Sequence, residues 1–189
     1  LEDLVLSPEQ QRVYDGIRSL CEKDEANVAL LFGVTGSGKT QIFIKLIEAC
    51  LKDGKQAMLL VPEISLTPQL LAKFRGLFGE DIAVIHSSLS MGERLDEYRR
   101  IRTGKARISI GTRSSIFAPF DNLGLIILDE EGEHSYKSDS TPRYHARDIA
   151  KLRCVCHKAT LLLASATPSI ESYHAAKTGK YALFTLTER

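Results

Sequence analysis

Seven short apolar runs, at 28–32, 57–61, 82–86, 107–111, 124–128, 160–164 and 182–186, alternate along this chain with segments of helical spacing at 8–22, 39–52, 67–78, 90–103, 145–156 and 169–178. Several runs, such as LGLIILD at 123–129 and ATLLLAS at 159–165, are continuously apolar. That is the pattern of strands buried on both faces of a parallel sheet. Strand, helix, strand in repetition predicts a three-layer α/β domain with a mainly parallel central sheet of about seven strands and ligands at the carboxyl ends of those strands. A length of 189 residues fits one such domain.

The first run leads into GVTGSGKT, Gly33 to Thr40, and the helical stretch QIFIKLIEACLK follows. Strand, glycine loop and helix in this order make a phosphate-binding loop. Gly33, Gly36 and Gly38 allow backbone angles closed to residues with a Cβ, so successive N–H groups can turn inward around phosphate oxygens. Gly33, Thr35, Gly36, Ser37, Gly38, Lys39 and Thr40 are therefore the candidate nucleotide-binding residues, Lys39 bringing a charge and Thr40 a magnesium-ligating hydroxyl.

The run at 124–128 ends in three carboxylates, Asp129, Glu130 and Glu131. Asp129 suits magnesium through its water shell, complementing Thr40, and Glu130 suits the orientation or deprotonation of an attacking water. Lys39, Asp129 and Glu130 are the candidate catalytic residues. A paired Asp and Glu favours hydrolysis over phosphoryl transfer. Three more strand ends, VPEISLTPQ, GTRSSIF and SATPS, offer hydroxyls and backbone N–H groups that can contact a phosphodiester backbone without reading bases.

Composition narrows the rest. With 25 basic and 24 acidic side chains there is no global field for nucleic acid, so any DNA contact must be local. One basic run stands out, Arg94, Arg99, Arg100, Arg102, Lys105, Arg107 and Arg113, against only Asp96 and Glu97; a solvated helix face accounts for most of it. Cys154, Cys156 and His157 lack the second ligand pair of a structural zinc site. No run approaches the roughly 18 apolar residues of a membrane span, and no signal segment opens the chain, so a cytoplasmic, monomeric lobe is expected. Leu1 at the start and LTER at the end suggest a piece of a longer protein. Met91, Leu95 and Tyr98 share a helix face and read as core. The polar stretch 131–144 reads as a functional or mobile loop.

GVTGSGKT, VPEISLTPQ, HSSLS, GTRSSIFAPF, LGLIILDEE, SYK, PRYHARDIA and SATPSIES, in this order over nearly the whole chain, resemble the first motor lobe of the PriA family of bacterial primosomal replication-restart helicases, within superfamily 2. Other superfamily 2 translocases share the phosphate loop and acidic pair but not VPEISLTPQ, GTRSSIFAPF or PRYHARD. The resemblance implies that 1–189 form a single RecA-like P-loop lobe of an ATP-dependent motor. Such a motor moves 3′ to 5′ on single-stranded and forked DNA, with primosome and single-stranded-DNA-binding proteins as partners. It also implies that Gln10 reads adenine, that Lys39 meets the phosphates, that Thr40 and Asp129 hold magnesium and that Glu130 is the hydrolytic base. Pro62, Glu63, Ile64, Ser65 and Leu66, with Gly111, Thr112 and Arg113, correspond to segments that touch single-stranded DNA. Ser165, Ala166 and Thr167 correspond to the motif coupling hydrolysis to movement, and Tyr136 and Tyr144 to an aromatic-rich loop that meets DNA.

The resemblance further implies a second lobe that supplies arginines to the transition state, and a cysteine-rich zinc-binding insertion, both outside these residues. The chain alone is then expected to bind nucleotide weakly and turn over little ATP. One departure is Gly132, which stands where the family has histidine, with His134 two residues on. Weakened coupling is expected unless His134 substitutes. The family also varies around Pro142, where some members carry a tryptophan, so stacking by this loop is expected to be reduced. Two other readings compete: a motor lobe from a repair or restriction translocase, and a nucleotide-dependent DNA-binding switch with weak hydrolysis.

Overall fold

The computed structural model describes residues 4–34 and 36–188. All seven expected strands form: β1 (Asn27–Gly33), β2 (Gln56–Leu60), β3 (Ile82–Ile85), β4 (Ile108–Gly111), β5 (Leu123–Asp129), β6 (Thr160–Ser165) and β7 (Ala182–Leu186). They make one sheet in the order β3-β4-β2-β5-β6-β1-β7, and every pairing is parallel. α1 (Pro8–Cys21) precedes β1, and α2 (Lys39–Lys52), α3 (Pro68–Phe78), α4 (Met91–Arg102), α5 (Ala146–His157) and α6 (Ile170–Lys177) lie between successive strands. Most starts are set by side-chain caps from Ser7, Thr67, Ser90 and Ser169, with Gln10 and Glu93 closing capping boxes; each such cap is worth about 1 kcal/mol. Among the described residues no helix is long and apolar enough to cross a membrane.

The continuous apolar runs divide residue by residue between two cores. Leu31, Leu59, Ile127 and Leu162 face α1, α2 and α3, whereas Leu30, Met58, Ile126 and Leu163 face α4, α5 and α6. A period of two with both faces buried is what makes such strands read as unbroken hydrophobic stretches.

Helix α4 departs from expectation. Met91 is 80% and Leu95 55% exposed, and only Tyr98 of the three packs against the core. The helix turns a partly polar face inward because β3 is a sheet edge with unpaired backbone groups. Glu97 accepts from the Val84 N–H at 2.7 Å, and Arg100 donates to the Ile82 carbonyl at 3.2 Å while pairing with Glu97. The basic run is thereby largely committed to structure. Arg94 donates to the His86 carbonyl, Arg107 forms a two-bonded pair with Asp81, and Arg113 is held by backbone carbonyls.

Candidate active site

The strand order sets the site. Strands β5, β6 and β1 lie side by side, so the acidic strand end, the SAT segment and the phosphate loop share one edge of the sheet. Gly36 and Gly38 take left-handed backbone angles, φ 80° and 81°, and Gly38 is the N-cap of α2. Lys39 reaches back over the loop and donates to the Gly33 carbonyl at 2.9 Å. Gln10 accepts from the Ser7 N–H and donates to the Ser37 carbonyl at 3.0 Å, tying the start of α1 to the phosphate loop. Thr35 lies outside the described residues. The Ser37 hydroxyl is buried without a partner among the described residues, a cost that a phosphate oxygen would relieve.

Thr40 and Asp129 line one cleft of about 390 Å³, which also takes in Ser65 and Thr67. Burial, and secondly the neighbouring Glu130 charge, push the Asp129 carboxyl from 3.8 to about 6; the Glu130 N–H and Lys39 oppose the rise. A crowded carboxylate pair beside a threonine hydroxyl is a donor set that fits a hard divalent cation. Glu130 itself takes φ 51°, in the left-handed region that non-glycine residues seldom adopt. That turn swings its side chain out of the β5 line. Its Oε2 then lies 3.4 Å from the Ser165 hydroxyl, which also accepts from the Thr167 N–H. Glu130 and the Ser165–Thr167 segment are thus adjacent.

On the other side of β5 come β2, β4 and β3, whose ends carry the segments expected to face DNA. Pro62, Glu63, Thr112 and Arg113 line one groove of about 270 Å³ with Ser87 and Ser135. Ile64 projects 87% exposed from the short 3-10 turn Glu63–Ser65. Three expected contacts need correction. Gly111 is buried inside the sheet, where a Cβ would lie 2.2 Å from the Ile85 carbonyl oxygen; close strand packing explains the glycine. Arg113 donates to the Ser135 and Lys137 carbonyls and stacks over Tyr144, so it ties two segments together and is not a free phosphate anchor. Tyr136 is 1% exposed. Its hydroxyl donates to the Leu60 and Asp129 carbonyls, which latches β2 to β5 and rules out base stacking. Of the two tyrosines only the half-buried Tyr144 is at the surface, edge-on to the exposed Phe117.

The stretch 131–144 is pinned rather than loose: Ser138 is buried and bonded to the Tyr144 carbonyl, and Lys137 bridges to His145. Glu131, to which spacing assigns no task, is completely buried. It accepts from the Ser169 N–H at 2.6 Å, the Ser172 hydroxyl at 2.9 Å and Arg147 at 3.2 Å. Its signal in the sequence was faint, two serines three residues apart after SATP. At Gly132 a Cβ would sit 2.7 Å from the Thr167 carbonyl oxygen, so the acidic turn touches the coupling segment backbone to backbone. His134 is exposed and no side-chain bond of its own reaches that segment among the described residues.

A glycine loop after β1, an Asp-Glu step after β5 and a hydroxyl turn after β6 on one parallel sheet define a RecA-like helicase lobe. The chain belongs to the DEAD/DEAH box helicase family, whose model matches residues 7–176. Within that class it is similar to the replication restart protein PriA of Bacillus subtilis (strain 168), 51% identical over 188 residues that cover 100% of this chain and 23% of that protein. It is likewise 48% identical over 185 residues to PriA of Chlamydia pneumoniae, covering 97% of this chain and 25% of that one. The chain therefore spans about a quarter of the length of these relatives. Among solved structures it resembles RecG bound to a three-way DNA junction, with a TM-score of 0.70 and 24% identity over 98% of this chain and 24% of RecG, a likeness of fold. The resemblance to the PriA family seen in the motifs holds at the level of whole-chain identity.

Proposed function

We propose that this chain is the ATP-binding motor lobe of an ATP-dependent 3′ to 5′ DNA helicase that acts in replication restart and primosome assembly. The observation that carries the reading is the strand order. It brings the strand ends after β1, β5 and β6 beside those after β2, β4 and β3, which supports reading the first group as nucleotide segments and the second as DNA-facing ones. The identity to PriA proteins supports the restart role and, with it, single-stranded and forked DNA as substrate. Lys39 and the loop N–H groups hold the phosphates, Thr40 and Asp129 hold magnesium, and Glu130 orients the attacking water and takes its proton. Magnesium, when bound, neutralises phosphate charge as it develops. Gln10 stands at the adenine side. Primosome and single-stranded-DNA-binding partners, a zinc insertion elsewhere in the longer protein and a cytoplasmic location belong to the same reading. So does low ATP turnover by these 189 residues alone, because the second lobe's arginines are needed for transition-state charge.

The test is ATP turnover by the complete protein with and without single-stranded DNA. DNA should stimulate turnover, and Glu130→Gln should abolish it while nucleotide still binds. Turnover that survives Glu130→Gln removes the proposed base. A second reading, a nucleotide-dependent switch with weak hydrolysis, is motivated by Gly132; robust DNA-stimulated turnover excludes it.

A further inference from the structure

We propose that Ile64 is a base-parting wedge and that the cavity beside its turn receives the nucleobase it displaces from a single strand. The proposal deepens the DNA-motor reading above and rests on it. A lone exposed isoleucine is ordinary on a protein surface. This one is 87% exposed at the middle of the 3-10 turn Glu63–Ser65, none of whose residues is buried, and the same turn borders two openings. One is the groove of Pro62, Thr112 and Arg113, which the motor reading gives to the DNA backbone. The other is a cavity of about 340 Å³ walled by Leu66, Pro68 and Leu71 on one side and by His86 and Ser88 on the other. Glu63, Ser87 and Thr112 line both, so the two adjoin. A strand whose backbone lies in the groove has the wedge and the cavity within reach of its bases.

The lining of the cavity selects its occupant. Among the described residues that form it there is no lysine or arginine, and Glu63 sets a carboxylate at its edge. A phosphate is repelled there, whereas a neutral planar group with an apolar face is not. The polar side is already ordered. The Ser87 hydroxyl donates to Glu63 at 2.6 Å, and the Ser88 N–H donates to the His86 Nδ1 at 3.2 Å, which leaves Nε2 of the neutral ring to donate. Hydroxyls that can turn and one ring N–H make no bidentate fork for a particular base, so the cavity takes each base in turn, as movement along a strand requires. Apolar side chains inserted between bases unstack the step, and a base taken out of its stack enters a pocket shaped to hold it. In a single strand no base pair has to break for this to happen.

Equilibrium binding of the complete protein to two end-labelled strands of equal length, oligothymidylate and a strand of abasic sugar-phosphate units, separates base contact from backbone contact. Ile64→Ala, at an exposed position, should weaken binding to oligothymidylate roughly tenfold, the scale of burying part of an isoleucine side chain. It should leave binding to the abasic strand at the wild-type value. Ser88→Leu fills the cavity from an exposed position and should give the same selective loss, about threefold to tenfold. A 2-aminopurine flanked by adenines, quenched while stacked, should brighten on binding the wild-type protein and brighten less with either variant. A loss in Ile64→Ala that is equal on both strands, or absent on both, overturns the wedge. Oligothymidylate binding by Ser88→Leu as tight as or tighter than wild type overturns the cavity as the receiving site. If the wild-type protein binds neither strand, the DNA-motor reading itself fails.

Discussion

Replacing Asp129 by asparagine should make the fold more stable while removing the proposed magnesium ligand. Burial and the Glu130 charge raise the folded-state pKa of Asp129 from 3.8 to about 6, and a shift of roughly two units corresponds to about 3 kcal/mol. The sign follows from linkage. A carboxyl that binds its proton more tightly when folded adds stability below pH ~4, and that contribution is lost as pH rises towards 6. At neutral pH the ionised group therefore opposes folding. Asparagine keeps the shape and never ionises, so Asp129→Asn should gain about 1–3 kcal/mol at pH 7.5, the lower figure allowing for partial access of water to the site. The gain should shrink towards zero near pH 4. Equilibrium urea unfolding of both proteins across pH 4 to 8 measures the difference, and titrations common to both cancel. Added magnesium and ADP should stabilise the wild-type chain, by about 2.7 kcal/mol at a hundredfold excess over Kd, and should leave the variant nearly unmoved. A stability gap that does not vary with pH, or a wild-type chain more stable than the variant at pH 7.5, refutes the assignment of a desolvated Asp129 carboxylate at the end of β5.

Tyr136→Phe should cost about 1–3 kcal/mol in urea unfolding, because the Leu60 and Asp129 carbonyls lose their shared donor. Its affinity for single-stranded DNA should stay at the wild-type value, whereas Tyr144→Ala weakens binding by about 1–3 kcal/mol; loss of DNA affinity in Tyr136→Phe contradicts the latch. Gly132→Ala should destabilise the chain by about 1–3 kcal/mol as its Cβ meets the Thr167 carbonyl, and a larger histidine at that position meets the same oxygen. An unchanged urea midpoint for Gly132→Ala shows that the two turns are not in backbone contact.

The seven strands and six helices were legible because each is signalled locally. Strands buried on both faces cannot avoid being continuously apolar, and serine or threonine caps mark most helix starts. The phosphate loop was equally legible, since Gly33 to Thr40 are contiguous and their backbone angles demand glycine at fixed spacings. Asp129 and Glu130 could be given roles only because they end a buried strand. The same local logic misread α4, where Met91 and Leu95 look like core and Glu97 and Arg100 like surface. It could not know that β3 is an edge whose open N–H and carbonyl groups draw polar side chains inward.

Residue order along this chain thus determined the class of fold and the chemistry available to it: a parallel α/β sheet, a phosphate grip and a carboxylate pair. Strand order, which no stretch of sequence encodes locally, decided how these parts meet. It placed β5 between β2 and β6, so that Tyr136 became a buried latch between strand ends, Arg113 a tie between segments, and Glu131 the junction of α5 and α6. Those roles depend on contacts between residues far apart in the chain, where the free energy of burying a hydroxyl or a charge is settled by partners that only the folded molecule brings within reach.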